Sequence, residues 1–582
     1  MKVLLEYLKK TSGLYAVGTF AMLMGVILDM FNPRQVQRVI DEVIIGGRTD
    51  LFGGIAIIMV SITVGRAIFG YFKEYMFDMA SSKVTARLRI RLFDHIQRQS
   101  FAFFDRINTG ELMSRMKEDT ESIMNVICFG MMLFVEQSLY FVIAAVLLFR
   151  LDWRLALVSL SLMPVIAFVA LRLEKKIGFT FEKISDQRAA LNTTAQENLA
   201  GVRLVKAFGR EKHEIGKFLK QNEENAKLNV EQAMVVAKHQ PVMDFFTKVT
   251  AVLVISVGGV LVIRGEMTIG TLVAFNSYVF MLIWPMQMLG WLVNMLAQCR
   301  ASLKKIDLIF QQEPEIQSPA EKAGAKSSSR ALAPDHLRGH IEFRNVSLEM
   351  NGMKILQNIS FEVRPGSTVA IMGETGSGKS SLIHLIGRYY DCTGGSVMVD
   401  GVDVREYDLQ ALRRGISVVM QDVFLFSDTI KRNILFGYDL DSEEKMTTAS
   451  QDAHIHSFVS GMREGYETTI GERGIGLSGG QKQRISIARA IARDCGVLIL
   501  DDSTSALDLD TEHRVWGSIG KRRGMTKLMI AHRVSAVRDA DEILYLSEGQ
   551  IVERGTHKEL LALKGRYYET WAIQQKGQEI CL

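Results

Sequence analysis

Residues 367–390 read STVAIMGETGSGKSSLIHLIGRYY, an apolar run, a glycine-rich turn and a run of helix formers. Gly373–Ser380 fits G-x-x-x-x-G-K-S in the strand–turn–helix setting that a phosphate-binding loop requires. Gly373, Gly376 and Gly378 let the backbone of the intervening Glu374, Thr375 and Ser377 wrap β- and γ-phosphates, and the following helix start adds favourable dipole charge. Lys379 supplies a fixed positive point, Ser380 a hydroxyl ligand for Mg²⁺, and Ser381 extends the nucleotide-contacting set. Strand–turn–helix units are common in α/β cores, so the full spacing in that setting carries the reading, not the glycines alone.

Working outward, the apolar VLIL at 497–500 ends in Asp501, whose carboxylate can reach Mg²⁺ directly or through water. An acid at a strand end is ordinary by itself; behind a phosphate loop it has a cation to meet. Residues 474–494 read GIGLSGGQKQRISIARAIARD. Within them LSGGQ, Leu477–Gln481, sets a serine cap and two glycines at the start of a helix whose apolar face recurs at Ile485, Ala488 and Ile491. An ordinary capped helix does not need Gly479 and Gly480 in succession with Gln481 behind them. IEFRNVSLEM from Ile341 and ILQNISFEV after it alternate like strands, so 341–582 is expected to be an α/β domain. It is preceded by a polar stretch rich in Ala, Ser and Pro, beginning EPEIQSPAEKAGAKSSSRALAPDH, that marks 313–340 as a linker.

Residues 1–312 belong to another solvent. Six stretches centred near Leu23, Val60, Tyr140, Leu162, Val257 and Met281 are apolar over the roughly 20 helical residues a bilayer core demands. Connections near 31–50, 150–154 and 264–267 are short, while 73–128 and 172–248 are long and rich in Lys and Arg. The positive-inside bias puts the long connections, both termini and the α/β domain in the cytosol. These long connections are proline-poor runs of helix formers, so the expectation is a membrane all-α domain of six helices extended into the cytosol. Gly110 and Gly201 fall between helical runs there, either as plain helix breaks or in turns that dock onto an ATP-driven domain. Met1 to Lys10 reads as an amphipathic interfacial helix, without the cleavage pattern of a signal peptide. Asp29, Arg66 and Glu136 sit within spans, where charges either pair or line a substrate path. The many methionines near the spans suit promiscuous apolar surfaces and equally serve as membrane filler.

A net charge of +5 over 582 residues leaves no nucleic-acid footprint, since the basic residues gather beside apolar runs. Five cysteines, Cys128, Cys299, Cys392, Cys495 and Cys581, have neither disulfide nor metal spacing.

With LSGGQ and the phosphate loop in one chain behind six spans, the sequence resembles the ATP-binding-cassette exporters, as a half-transporter with its membrane domain first. That resemblance implies ATP and Mg²⁺ as cofactors, a lipid bilayer, and a second half-transporter chain. In it, each ATP lies between the phosphate loop of one chain and the LSGGQ of the other. It makes Gln421 in VVMQD the Q-loop residue, counted among the catalytic groups and Mg²⁺ ligands. It makes Gly471–Gly474, GERG, the contact for the docking turns, Ser505–Asp508, SALD, the loop crossing between paired cassettes, and His532 in IAHR the switch histidine beside the γ-phosphate.

Two departures concern this chain's own pocket. The general base of the family is Glu, whereas Asp502 stands here, and one methylene less draws the carboxylate back by about 1.5 Å. A base must stand within about 2.6–3.2 Å of its water, so hydrolysis suffers more than binding. Met350 occupies the position at or near which an aromatic ring stacks on adenine. An intact LSGGQ beside a weakened base implies a heterodimer whose other chain carries the Glu base; a slow homodimer with two Asp sites is the alternative. The expected substrate is a hydrophobic or amphipathic small molecule exported in the multidrug manner from a bacterial plasma membrane. A lipid or peptide exporter and a nucleotide-gated sensor or channel share the architecture, although no room for an N-terminal peptidase precedes the first span. The six spans argue against a soluble cassette protein.

Overall fold

The computed structural model describes residues 2–319, 332, 334, 336–436, 442–471, 474–522 and 524–580. It divides into two compact units, Met1–Arg98 with Ile107–Glu313 and Gln99–Arg106 with Pro314–Leu582. Of the expected linker, residues 320–331, 333 and 335 lie outside the described residues, as does Cys581.

Among the described residues, six helical segments of the first unit are long and apolar enough to cross a membrane: Ser12–Ile45, Thr49–Gln97, Thr109–Leu151, Trp153–Ala200, Glu211–Ile263 and Ile269–Gln311. Each exceeds the roughly 20 residues that a bilayer core consumes, so the surplus forms the extensions read from the sequence. The first connection is shorter than expected: Phe31–Ile45 stays helical, with Pro33 inside Ser12–Arg38 and a π-helix at Val39–Ile45. Lys2–Lys10 is helical, as its amphipathic pattern requires.

Spans one and two pair, four and five pair, and the sixth packs against the first, third and fourth. Buried helix ends must satisfy their free N–H groups. Asp152 does so for Trp153–Leu160, accepting from the N–H groups of Arg154 and Leu155 at 2.9 and 3.0 Å. Asp41 in the first span accepts from the Gly270 N–H at 2.9 Å and the Thr268 hydroxyl at 2.7 Å, at the start of the sixth. All three intramembrane charges are paired. Asp29, 6 % exposed, accepts from Arg66 at 2.8 Å and from the Tyr140 hydroxyl at 2.9 Å, and Glu136 pairs with Lys73 at 3.0 Å. Met22 and Met132 are buried against Phe77 as filler.

The two expected breaks fare differently. Gly201 separates Met163–Ala200 from the short helix Val202–Ala207. Gly110 does not form a break: the chain turns at Ser100 and again at Ile107–Asn108, and Gly110 lies in the first turn of Thr109–Ser114. The reason is local, since Asn108 is an N-cap whose side chain accepts from the Gly110 N–H at 2.8 Å.

The second unit is α/β. Strands β1 Ile341–Met350, β2 Met353–Val363, β4 Gly394–Val399 and β5 Val402–Asp403 form an antiparallel sheet in the order β2-β1-β4-β5. The larger sheet has the order β10-β9-β3-β8-β7-β6, built from β3 Thr368–Gly373, β6 Ile416–Val419, β7 Val497–Asp501, β8 Thr526–Ile530, β9 Glu542–Ser547 and β10 Gln550–Gly555. Strands β7 and β8 are buried along their whole length, which explains the uninterrupted apolar VLIL of β7. One hydrophobic core lies between the sheets and includes Phe343, Val369 and Ile499; the other, with Ile487, Leu500 and Val515, lies under the helices of the opposite face.

Close helix approach yields a stability test. A Cβ on Gly290 of the sixth span would stand 3.0 Å from the Ala170 carbonyl oxygen and 2.8 Å from Glu174 Cβ, whereas one on Gly259 meets nothing within 4 Å. Gly290→Ala is expected to cost about 1–3 kcal/mol by overpacking. Gly259→Ala should be neutral or gain up to about 1 kcal/mol from helix propensity. Thermal unfolding of the two detergent-purified variants orders them.

Candidate nucleotide site

Four parallel strands bring the expected groups to one edge. Ile371 of β3 lies opposite Ile530 of β8, Ile530 opposite Asp501 of β7, and Leu500 opposite Val419 of β6. The Gly373–Ser380 loop, His532, Asp501–Asp502 and Gln421 therefore all leave the sheet at its carboxyl edge, where open α/β sheets hold ligands.

Gly373, Gly376 and Gly378 have φ of 141°, 83° and 96°. Two of them also lack room for a side chain: a Cβ at Gly373 would stand 2.1 Å from the Leu546 carbonyl oxygen, and one at Gly378 2.9 Å from that of Ile355. Lys379, 6 % exposed, donates to the carbonyls of Gly373 and Glu374 at 2.9 and 2.6 Å. Burial pulls its pKa down, against the pull of Asp501, Asp502 and Glu374. The Ser377 hydroxyl is buried without a hydrogen-bond partner. An orphaned hydroxyl in a nest of positive-φ glycines fits an absent anion, so the loop suits a phosphate group.

Asp501, 4 % exposed, has its pKa raised by burial; Ser380, His384 and Lys379 oppose that rise, while neighbouring Asp502 adds to it. A buried carboxylate facing the loop serine fits a Mg²⁺ ligand set. Asp502 adopts φ +42°, and its N–H donates to the Ile530 carbonyl at 3.0 Å. This left-handed backbone is uncommon outside glycine and was not legible in the sequence, although Asp tolerates it better than most. Gln421 and His532 are both exposed. Met350 closes β1 before an Asn351–Gly352 turn and lines a cavity of about 350 Å³ with Asp105, Tyr389 and Tyr390.

The LSGGQ residues are elsewhere. Among the described residues no hydrogen bond joins Ser478–Gln481 to Gly373–Ser381. Ser478 caps Gly479–Ala492 in a capping box, its own N–H donating to Gln481 Oε1 at 2.8 Å. A Cβ on Gly480 would stand 3.0 Å from the Ala506 carbonyl oxygen, so this glycine has a packing reason within the chain. Gly479 has none among the described residues, since its Cβ would make only ordinary contact with Ala506 at 3.5 Å. Ser478 and Gly479 are exposed. Glu472 and Arg473 of the GERG segment lie outside the described residues.

Residues 99–106 pack within the second unit. Phe101 stacks on Tyr389 at 4.7 Å, and the Tyr390 hydroxyl donates to Asp105 at 2.7 Å. The other expected docking turn stays bare, with Leu204 64 % and Phe208 73 % exposed.

Residues 15–286 match the family described as ABC transporter transmembrane region, and residues 356–505 match that described as ABC transporter. An ATP-dependent lipid A-core flippase of Syntrophus aciditrophicus is 33 % identical over 100 % of this chain and 95 % of its own length. A putative multidrug export ATP-binding/permease protein of Bacillus subtilis is 34 % identical over 95 % and 96 %. This chain belongs to the ABC transporters. A solved bacterial Atm1-family ABC exporter with ATP bound superimposes with TM-score 0.81 at 26 % identity, covering 97 % of this chain and 98 % of that one. The ABC half-transporter architecture, with a helical membrane domain before an α/β nucleotide-binding domain, is thus the architecture of this chain, and its domain class is that of ATPase-coupled transport.

The orphaned Ser377 hydroxyl separates folding from ligand binding. Removing a buried unsatisfied hydroxyl relieves a cost of about 1–3 kcal/mol. Ser377→Ala is expected to raise the melting temperature of the nucleotide-free ABC transporter and to shrink the stabilisation that Mg²⁺-ATP confers. A lower nucleotide-free melting temperature would mean that the hydroxyl is already satisfied.

Proposed function

We propose that this half-transporter exports hydrophobic or amphipathic compounds by alternating access, as the degenerate half of a heterodimer in a bacterial plasma membrane. Both termini and the cassette lie in the cytosol. Residues 1–312 are the membrane domain, 313–340 the linker and 341–582 the cassette.

ATP and Mg²⁺ supply a phosphoanhydride and its charge neutralisation when bound. Lys379 and the backbone of Gly373–Gly378 hold the phosphates; Ser380, Asp501 and Gln421 hold the cation; Ser381 and Met350 complete the nucleotide contacts. His532 stands beside the γ-phosphate. Asp502 occupies the place of the general base, one methylene short of Glu, so this pocket holds ATP and hydrolyses little. The partner supplies a Glu base, and its ATP is completed by Ser478, Gly479, Gly480 and Gln481 of this chain.

The observation that carries the reading is the exposed, capped start of the Gly479–Ala492 helix. Its N–H groups and dipole offer an anion site, and Gly479 is bare where no neighbour among the described residues requires it. The uncovered Leu204 and Phe208 support a second chain as well, since a short helix without a buried residue has no packing reason of its own. Closure on ATP opens the membrane domains outward because ATP favours only the closed arrangement. The multidrug reading has behind it the relative named for multidrug export. A lipid exporter is the second reading, favoured by the full-length likeness to the relative named as a lipid A-core flippase.

Ser478→Arg is expected to nearly abolish substrate-stimulated ATP turnover in the natural complex. Asp502→Asn should cost far less, because a working general base contributes roughly 10²- to 10⁴-fold and this one contributes little. Equal damage from both, at saturating ATP and the same substrate, would establish symmetric hydrolysis instead.

A further inference from the structure

The C-terminal helix Arg566–Ile580 touches the segment that follows β8. The Gln574 side-chain amide donates to the His532 carbonyl at 2.7 Å and accepts from the Val534 N–H at 2.9 Å. One side chain thus holds the backbone on both sides of Arg533. Arg533 donates to the carbonyls of Leu507 at 3.2 Å and Ser505 at 3.3 Å, and pairs with buried Glu512 at 3.5 Å. Gln483, on the signature helix, donates to the Ser505 hydroxyl at 3.2 Å and accepts from the Ala506 N–H at 3.0 Å. Gly480 then lies against the Ala506 carbonyl. Each step is a hydrogen bond, a close contact or a bond between adjacent residues, so the series runs unbroken from Gln574 to Gly480 within LSGGQ.

Gln574 lines a cavity of about 1050 Å³ together with Asp508, His513, Arg533, His557 and Trp571, and its polar contacts add to the packing of Tyr567 and Trp571 on the core that includes Val534. The side-chain amide meets both demands at once, because the His532 carbonyl needs a donor and the Val534 N–H an acceptor.

We propose that Gln574 is a positioning residue: acting through the His532–Val534 backbone and Arg533, it sets the 505–508 loop and thereby the geometry of the LSGGQ half-site. The C-terminal helix then governs hydrolysis of an ATP bound on the other chain, which rests on the reading that LSGGQ completes the partner's site. Misplacing the half-site weakens contacts realised as the cassettes close, so turnover falls while first capture of ATP does not.

The test uses the natural complex at saturating substrate. Gln574→Ala and the isosteric Gln574→Glu, which keeps the acceptor and loses the donor, are expected to lower kcat about 5- to 20-fold with the KM for ATP within about twofold. Arg533→Ala should act in the same direction, and the Gln574→Glu/Arg533→Ala double variant should be no worse than the more damaging single change. A kcat within twofold of the unsubstituted complex for Gln574→Glu, or multiplied effects in the double variant, overturns the proposal. If Gln574→Ala does not fold, Gln574→Glu decides by itself. Ser478→Arg in the same complex separates the two layers. Full turnover in Ser478→Arg overturns the reading that LSGGQ acts on the partner's ATP, and this proposal with it; loss there with none in Gln574→Glu overturns this proposal alone.

Discussion

Strand β8 is hydrogen-bonded on both sides, and the geometry of the nucleotide site hangs on where that bonding ends. The Ile530 carbonyl accepts from the Asp502 N–H at 3.0 Å, and the Ala531 N–H donates to the Ile371 carbonyl at 3.3 Å. Those two bonds set the point at which β7 gives way to the acidic pair, β3 to the phosphate loop and β8 to the switch segment. A slip of one residue along β8 would turn every side chain of a fully buried strand to the opposite face. The apolar surface buried on both faces therefore protects the alignment of groups that are themselves polar.

Within this frame several unusual backbone and hydrogen-bonding features fall where chemistry is expected. Three glycines with positive φ, a left-handed Asp502 and the unpartnered hydroxyls of Ser377 and Ser503 all lie at the carboxyl edge of the sheet. Such features persist only where the surrounding fold over-determines them. In the antiparallel sheet the Asn351–Gly352 turn uses positive φ for a tight hairpin.

The membrane unit solves a different problem, because hydrocarbon offers no partner to a stray polar group. Its charges accordingly meet one another: Asp29 with Arg66 and Tyr140, Glu136 with Lys73. The capping carboxylates Asp152 and Asp41 serve free helix N–H groups at the short connections. Specific polar contacts between spans fix helix partners that apolar surface alone would leave interchangeable.

Much was legible from residue order. Six apolar runs, the phosphate loop, LSGGQ and the acids after VLIL each express a local rule, a bilayer's thickness or a turn's demand for glycine, that acts within about 20 residues. The sequence by itself therefore determined the two-part architecture and its membership among ABC transporters. Its reading of Gly110 as a break failed because an Asn cap two residues earlier outcompeted the glycine. Lys73 as the partner of Glu136, the left-handed Asp502, the packing need for Gly480 and the hold of Gln574 on the switch segment join residues distant in sequence or depend on backbone register. Only the tertiary structure decided these, because hydrogen bonds and close contacts are selected by which surfaces the buried strands and helices bring together, and no local pattern records that choice.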